Sequence, residues 1–328
     1  MIITRTPLRV SFAGGGTDIC DCYKTNGGAV VSAAVNKYIY ITVNKKFDNN
    51  IRVSYSKIEV VPTVEELRHD IVRECLKLAG ITGGIEITSI SDIPSGTGLG
   101  TSSAFTVGVL NALFYYTGQS LTPKQLSELA CKVEIDILGH PIGKQDQYAS
   151  AYGGLNYFEF NPDDTVERRK ISLSDTDVKK LENSLMLFYT GIKRSADEVL
   201  IEQKHNTPAK LDSLRCMKSL ADEMYTELSE KGLTPFFGKA ISLGWEKKRE
   251  LASSITSSEI DEKYVAGMNA GAAGGKLLGA GGGGFLLFYC DGQYQEQVRR
   301  AVNLPQTPFR IETLGSTVVF ADNDHRIS

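Results

Sequence analysis

The sequence predicts a protein of mixed strands and helices that is long enough for two domains or for one large domain. With 328 residues, 41% of them hydrophobic, the chain can bury a substantial core. Its first half alternates strand-like and capped helical segments, whereas helical segments dominate from residue 195 to about residue 253. A polar, turn-rich stretch at residues 161–177 lies between the two parts. We therefore predict domains at residues 1–165 and 166–328.

Composition and charge exclude several classes of function. The net charge is −3 and the basic runs are short, which argues against a nucleic-acid partner. There is no apolar span of membrane length, and Arg5 and Pro7 interrupt the N-terminus before an apolar region can form. The six cysteines and four histidines are scattered, without disulfide-framework or metal-ligand spacing. We expect a cytoplasmic protein with reduced thiols and no membrane partner.

The first predicted strand, residues 7–13, runs into three glycines at residues 14–16 and then into Thr17 and Asp18. Asp18 is either a turn or cap residue or part of a ligand site. Arg9 lies within this apolar strand, where an arginine needs an anionic partner, either an internal carboxylate or a ligand.

A helix is predicted from Thr63, which forms a capping box with Glu66, to Gly80. Residues 85–90 then alternate like a strand and lead into a glycine-rich loop at residues 94–104.

That loop resembles a phosphate cradle. Its spaced glycines allow positive φ and close backbone approach, and an apolar helix ended by Gly118 follows. A glycine-rich turn before a buried helix is the plainer alternative. The hydroxyls of residues 101–103 either cap the helix or offer oxygens to phosphate or Mg²⁺. No Gly-Lys-Ser/Thr follows, so this is not a Walker A loop. The candidate phosphate-binding residues are Gly96, Gly98, Leu99, Gly100, Thr101, Ser102 and Ser103.

A second helix is predicted from Thr122, with Pro123 at its first position and Gln125 closing a capping box, to about Gly139. Glu134 flanks the inner face of this helix, where it is either functional or a solvated surface acid.

Residues 143–154 place four polar residues between glycines, a composition typical of loops that carry chemistry. Lys144 could keep Asp146 ionised or could be its surface partner.

In the C-terminal half, a buried strand at residues 185–190 is linked through residues 191–194 to a helix capped by Ser195. Four consecutive glycines, residues 281–284, precede another strand, which indicates that something approaches this backbone closely, either a ligand or the first glycine loop. Closing strands are predicted at residues 309–312 and 317–320.

The three glycine-bearing segments together resemble the three motifs of the GHMP kinase superfamily. The central loop matches the family pattern at Pro94, Gly98, Leu99, Ser102, Ser103 and Ala104. The first segment matches the galactokinase-type pattern at Pro7, Arg9, Val10, Gly14 and Asp18. Gly15 and Gly16 replace the Glu-His pair of that pattern, which argues against a simple hexose substrate.

The resemblance implies an ATP-dependent kinase whose central loop wraps the ATP phosphates. It implies that Asp146 is the catalytic aspartate and that Ser103 and Glu134 bind Mg²⁺. In this mechanism Asp146 accepts a proton from the acceptor hydroxyl, while Lys144 or Arg9 balances its charge.

The implied substrate is a sugar phosphate, which demands a cationic pocket. The residues expected to bind it are Gly15, Gly16, Thr17, Asp18, Lys193, Arg194, Gly282 and Gly283. Lys37 and Arg52 are further candidate cations, and ordinary surface charge is the alternative for all of these basic residues.

Within the superfamily, residues 5–18 and 143–148 most resemble the branch that phosphorylates the anomeric hydroxyl of D-glycero-D-manno-heptose 7-phosphate on the route to GDP-heptose. Fucokinase-type enzymes share related motifs, and another small-molecule kinase or a non-catalytic binding protein are the alternatives. The implied fold is α+β, with a left-handed βαβ unit in the N-terminal domain and a ferredoxin-like C-terminal domain. The oligomeric state stays open, a homodimer included.

Overall fold

The computed structural model describes residues 1–193 and 196–322. The strands of this part of the chain are β1 (Ile2–Ala13), β2 (Gly28–Lys45), β3 (Ile51–Ser54), β4 (Ile58–Val61), β5 (Ile85–Ser91), β6 (Leu155–Phe160), β7 (Val166–Lys170), β8 (Leu185–Tyr189), β9 (Gly274–Leu277), β10 (Phe285–Tyr289) and β11 (Thr317–Ala321). Its α-helices are α1 (Cys20–Asn26), α2 (Asp70–Leu78), α3 (Thr101–Tyr116), α4 (Pro123–Cys131), α5 (Gln145–Tyr152), α6 (Asp175–Ser184), α7 (Ala196–Asn206), α8 (Leu211–Glu230), α9 (Phe236–Arg249), α10 (Ser258–Asn269) and α11 (Gln295–Val302).

Eight strands form one large sheet in the order β11-β1-β2-β5-β3-β4, with β6 beside β2 and β7 beside β6. β3 and β5 are parallel, and β4 and α2 lie in the connection between them. That connection is the βαβ unit implied by the family resemblance. α3 packs against β1 and β2 and is buried along most of its length, because nearly all of its side chains are apolar or small.

A second, antiparallel sheet has the order β8-β10-β9. On the other edge of β8, a single β-bridge joins Phe188 to Gln306, which lies in the segment after α11. Counting that segment, the succession of strands and helices is the one expected for a ferredoxin-like unit. Within the part of the chain that the structure covers, no helix combines the length and the apolar character needed to span a membrane.

α4 begins as predicted. The Thr122 hydroxyl accepts the Gln125 N–H at 3.3 Å, and the Gln125 side chain accepts the Thr122 N–H at 2.9 Å. After α4 the helix continues through Lys132–Ile137 with wider, π-type turns, and this segment carries Glu134. Such turns occur frequently at functional sites.

The helix predicted from Thr63 to Gly80 is wrong in its first part. The chain forms a 3₁₀ turn at Val64–Glu66, and α2 begins only at Asp70. The carboxylate of Glu59 on β4 accepts the two backbone N–H groups that precede α2, at 2.7 and 3.1 Å. Because these groups bond to a neighbouring strand, the helix cannot run continuously through them.

Two other segments differ from expectation. Residues 143–154 are mostly helical, since α5 occupies Gln145–Tyr152 and packs Tyr148 and Ala149 into a cluster with β6. The closing strand predicted at residues 309–312 is reduced to one bridge between Val35 and Ile311. The Ser195 cap and Arg194 lie outside the described residues.

The large sheet extends across the predicted domain boundary. β6 and β7 form a hairpin that contains residue 165, and β11 returns from the end of the chain to pair with β1. The strands of residues 1–165 therefore share their sheet with two strands from residues 166–328.

Candidate active site

The central glycine-rich loop connects β5 to α3. Gly96, Gly98 and Gly100 have φ values of 75°, 84° and 74°, the left-handed conformation that favours glycine. Gly100 is the N-cap of α3, and no side chain caps this helix. Of the two alternatives for the hydroxyls of residues 101–103, capping of α3 is therefore excluded. The first N–H groups of α3 open into the cleft beside the hydroxyls of Thr101, Ser102 and Ser103.

The second glycine loop packs directly against the first. A Cβ on Gly98 would lie 2.4 Å from the carbonyl oxygen of Leu278, and one on Gly284 would lie 2.2 Å from that of Thr97. Packing against the first glycine loop is one of the two explanations that the sequence allowed for the four consecutive glycines. Gly282 donates its N–H to the Ile255 carbonyl at 2.8 Å, and a Cβ on Gly283 would lie 2.5 Å from the Ile192 carbonyl oxygen. Both glycines thus contact other backbone, and the structure does not place them in the cleft as expected.

Arg9 of β1 and Asp146 of α5 meet beside this loop. Arg9 Nε and Nη2 donate to the two carboxylate oxygens of Asp146 at 2.7 and 2.8 Å, and Nη1 donates to the Gly98 carbonyl at 2.5 Å. Arg9 is only 3% exposed, and Asp146 borders the cleft. The internal carboxylate that Arg9 requires is therefore Asp146.

Lys144 pairs with Asp164, whereas both alternatives from the sequence paired it with Asp146. Its ammonium group donates to the carbonyl and carboxylate oxygens of Asp164 at 3.2 and 3.3 Å and lies 4.7 Å from the centre of the Tyr23 ring. Arg9, and not Lys144, therefore balances the charge of Asp146 in this structure.

Glu134 is fully buried behind α3. Its carboxylate accepts hydrogen bonds from Ser102 Oγ at 3.3 Å and from Gln147 Nε2 at 2.7 Å. Burial raises the pKa of Glu134, while hydrogen bonds from Ser103, Gln147 and Thr106 oppose that shift. The surface-acid alternative for Glu134 is wrong.

These surroundings fit a divalent cation. A buried carboxylate needs a compensating positive charge, and the hydroxyl of Ser103 lies between Glu134 and the cleft. The Thr101 hydroxyl is a further buried oxygen without a partner among the described residues. In the described part of the chain, no cluster of three or more His, Cys, Asp or Glu side chains is arranged to hold a metal alone. Mg²⁺ does not need such a cluster when phosphate and water supply its remaining ligands.

The first glycine loop also lines the cleft, through Gly15, Gly16 and Asp18. Asp18 accepts N–H groups of Gly16 and Gln145 at 2.8 and 3.2 Å, and burial raises the pKa of its carboxyl. Thr17 is structural, because its hydroxyl bonds to the carbonyls of Gly14 and Ala29 at 2.8 and 2.9 Å.

Several other predicted site residues that the structure describes lie outside the cleft lining. Leu99 is fully buried, and its carbonyl accepts the N–H of Arg9 at 3.0 Å. Lys193 is exposed and Arg52 pairs with Glu86, while Arg194 is not among the described residues. Of the cations nominated for the phosphate pocket, the three that the structure describes, Lys37, Arg52 and Lys193, do not line the cleft.

One buried lysine of the cleft does not stand out in the sequence. Lys248 of α9 borders the cleft together with Gly16 and Asp18 and is 7% exposed. It lies seven positions after Ile241 and three after Trp245, both fully buried, so helical spacing places it on the buried face of α9. That spacing was the available signal, and its position in a Lys-Lys-Arg run obscured it.

Comparisons with known proteins identify the family of this chain. Residues 64–154 match the model for the GHMP kinases N terminal domain, and residues 235–305 match that for GHMP kinases C terminal. A D-glycero-alpha-D-manno-heptose 7-phosphate kinase from Campylobacter jejuni is 30% identical over 88% of this chain and 89% of its own. The chain belongs to the GHMP kinases. It is an ATP-dependent phosphotransferase with the two-domain fold of that family.

Other proteins similar to this GHMP kinase are named as kinases of different substrates. The L-fucokinase/L-fucose-1-P guanylyltransferase of Bacteroides fragilis is 28% identical over 90% of this chain, which spans 35% of that protein. A solved structure titled as a D-glycero-D-manno-heptose 1-phosphate kinase from Bacteroides thetaiotaomicron superposes with a TM-score of 0.82 at 26% identity, over 98% of this chain and 100% of that one. A mevalonate kinase structure, at 20% identity and a TM-score of 0.73, shares the fold over 95% of this chain and 100% of its own.

Proposed function

We propose that this GHMP kinase transfers the γ-phosphoryl group of ATP to the anomeric hydroxyl of D-glycero-D-manno-heptose 7-phosphate. The product would be the 1,7-bisphosphate, an intermediate on the route to GDP-heptose. The observation that carries the proposal is the Arg9–Asp146 pair, which lies beside the glycine cradle at the start of α3. The proposed acceptor is supported by the similarity to the heptose 7-phosphate kinase named above. It is also supported by residues 5–18 and 143–148, which resemble that branch of the superfamily.

The cradle supplies positive potential to the nucleotide. The N–H groups at the start of α3 and the positive end of its dipole would attract the ATP phosphates. The phosphates would bind at the loop from Gly96 to Ser103. In phosphoryl transfer the protein acts chiefly by aligning the reacting oxygens and stabilising the charge that spreads over the transferred group.

Asp146 is positioned to act as the base. Arg9 holds both of its oxygens, which fixes the carboxylate in one orientation at the border of the cleft. An acceptor hydroxyl that hydrogen-bonds to Asp146 would transfer its proton to that carboxylate as the bond to phosphorus forms. Arg9 would stabilise the negative charge near the reacting oxygen, and its bond to the Gly98 carbonyl joins the base to the nucleotide cradle.

Ser103 and Glu134 would hold Mg²⁺ together with ATP oxygens and water. When bound, the ion would neutralise charge on the β- and γ-phosphates. Gln147 orients the carboxylate of Glu134 through its amide group at 2.7 Å. Gly15, Gly16 and Asp18, which also line the cleft, would contact the sugar.

The cysteines support a reducing compartment. None of the six, all of which lie in described segments, forms a disulfide. We therefore place the reaction in the cytoplasm.

A coupled assay for ADP release over a panel of acceptors tests the proposal. Heptose 7-phosphate should give the highest kcat/KM, with heptose 1-phosphate, unphosphorylated heptose, L-fucose and mevalonate as comparisons. Preference for L-fucose would favour a fucokinase activity, which the similarity to the Bacteroides fragilis protein makes the second candidate. ADP release that no acceptor stimulates would reject both.

A further inference from the structure

The buried ammonium group of Lys248 lacks the carboxylate partner that such a group normally has. Lys248 Nζ donates to Gln203 Oε1 at 2.6 Å, which is a neutral amide oxygen, and no ion pair involving Lys248 is found among the described residues. A buried charge is retained in a protein only when another group compensates it. Since Lys248 borders the cleft, a bound anion could supply that compensation.

Gln203 provides a second donor at the same place. It is 1% exposed, and its Nε2 has no hydrogen-bond partner in the described chain. Buried amide groups without partners are rare and call for an explanation. A Cβ on Gly16 would lie 2.9 Å from Gln203 Nε2 and 3.2 Å from Lys248 Nζ, so both donors converge beside this glycine. The absence of a side chain at residue 16 keeps the space next to them open.

A second lysine adds positive charge behind this point. Lys276 of β9 donates to the Phe12 carbonyl at 3.4 Å, beneath the first glycine loop. Burial and the charges of Lys248 and Arg9 lower the pKa of Lys276 to about 7. Burial lowers the pKa of Lys248 to about 8, and the carboxylate of Asp18 opposes that shift.

The carboxylates nearby are already bound to other groups. Asp146 is held by Arg9, and Asp18 accepts two backbone N–H groups. Asp197 of α7 also lines the cleft, but no ion pair joins it to Lys248 among the described residues. Neither Asp146 nor Asp18 forms a direct bond to Lys248 or to the free amide of Gln203, so an anionic ligand could be bound by both donors.

We infer that Lys248 and Gln203 form the subsite for the phosphate group of the acceptor, with Lys276 strengthening its positive potential. This inference rests on the proposed function and identifies the cationic pocket that a sugar phosphate requires. The subsite lies beside Gly16 and Asp18 of the first glycine loop, which lines the cleft together with the α3 cradle. Since the first glycine loop is the segment expected to bind the sugar, this position favours the acceptor phosphate over the phosphates of ATP.

Kinetics of Lys248→Met test the subsite, with Lys247→Met as the matched control. Lys247 is the preceding residue on α9 and forms a surface pair with Glu250 at 2.9 Å. Losing one charge-assisted hydrogen bond should raise KM for heptose 7-phosphate about 10- to 100-fold. KM for ATP and for unphosphorylated heptose should stay within about twofold of the wild-type values, a change of less than about 0.5 kcal/mol. Lys247→Met should match the wild type throughout.

Gln203→Leu provides a second variant, because it removes the neutral donor and keeps the charge. It should raise KM for heptose 7-phosphate in the same direction by a smaller factor, which keeps the inference testable if Lys248→Met fails to fold. A variant that raises KM for ATP while leaving KM for heptose 7-phosphate unchanged would overturn the assignment, as would one that keeps the wild-type preference for a phosphorylated acceptor.

Inorganic phosphate separates this inference from the proposed function. It should bind the wild-type enzyme and raise its melting temperature, and this effect should be lost in Lys248→Met. If the wild type responds to phosphate but phosphorylates no heptose phosphate, the subsite stands and the proposed function fails. If the wild type phosphorylates heptose 7-phosphate and Lys248→Met does so with unchanged KM, the subsite fails and the proposed function stands.

Discussion

Arg9 binds both carboxylate oxygens of Asp146, at 2.7 and 2.8 Å, and uses its remaining nitrogen to bind the carbonyl of Gly98 at 2.5 Å. One side chain thereby connects β1, α5 and the nucleotide cradle. Any change in the position of the cradle is transmitted to the carboxylate through a rigid, planar guanidinium group. The proposed base and the proposed phosphate site are thus joined by one side chain.

Asp146→Asn should reduce kcat by about 10²- to 10⁴-fold, the range typical of general-base catalysis. The amide cannot accept the proton, but it retains the shape of the side chain, so ATP binding measured by titration calorimetry should persist. Asp163→Asn, at an exposed turn, is the matched control and should leave kcat unchanged. Near-normal turnover in Asp146→Asn would reject the role of this residue as the base.

Arg9→Lys keeps the positive charge but loses the two-point grip on Asp146 and the bond to Gly98. We expect kcat to fall about 10- to 100-fold, which corresponds to about 1.5–3 kcal/mol for lost hydrogen bonds to a charged group. Single-turnover measurement at saturating ATP should place the loss in the chemical step. If the variant changed only the KM for ATP, the link between base and cradle would be without catalytic effect.

Glu134→Gln should raise the Mg²⁺ concentration required for half-maximal activity. The same variant should raise the melting temperature of the enzyme without nucleotide at pH 8. Burial raises the pKa of Glu134 above its unfolded value, so the ionised form destabilises the folded state at high pH, and this cost disappears as the pH falls. The difference in melting temperature from the wild type should therefore shrink toward pH 5. A lower melting temperature at pH 8 would indicate a purely structural carboxylate.

Gly284→Ala tests the packing of the two glycine loops. Gly284 has a φ of 94°, and its Cβ would lie 2.2 Å from the Thr97 carbonyl oxygen. The left-handed conformation alone costs about 1 kcal/mol for a residue with a side chain, and the clash adds to it. Urea unfolding should show a reduced free energy of unfolding. Gly292→Ala, where a Cβ meets nothing within 4 Å, is the control.

The KM for heptose 7-phosphate should rise with pH between pH 6.5 and 9.5. The pKa values of Lys276 and Lys248 are about 7 and about 8, and only their protonated forms attract the phosphate group. Affinity is therefore greatest below pH 7 and declines as each lysine loses its proton. The charge of Arg9 contributes to the lowered pKa of Lys276, and the carboxylate of Asp18 opposes the lowering of the pKa of Lys248.

Steady-state kinetics across this pH range, with unphosphorylated heptose as the reference acceptor, check this prediction. In Lys248→Met, the part of the rise in KM that is centred near pH 8 should be absent. A KM for heptose 7-phosphate that does not change with pH would contradict the role of both lysines.

The sequence predicted the elements that local patterns determine. The glycine loop before α3 and the capping box at Thr122 are present in the fold. The strand predicted at residues 286–289, after the second glycine loop, is present as β10, Phe285–Tyr289. Arg9 stood out because an arginine in an apolar strand requires an anionic partner. These predictions needed only the chemistry of each residue and its spacing along the chain.

Long-range contacts account for most of what the sequence did not predict. Glu59 interrupts the helix predicted from Thr63 because it reaches the backbone from another strand. Lys144 and Asp146 are two residues apart, but they point to different partners, Asp164 and Arg9. Lys248 and Gln203 are 45 residues apart in sequence and meet only in the folded protein.

The most direct test of the account is ³¹P NMR of the product formed from ATP and heptose 7-phosphate, by the wild type and by Asp146→Asn at equal nucleotide saturation. We predict that the wild type forms a sugar 1,7-bisphosphate with a new phosphorus signal coupled to the anomeric proton, and that Asp146→Asn forms almost none. A wild-type product phosphorylated at another position, or equal product formation by Asp146→Asn, would contradict it.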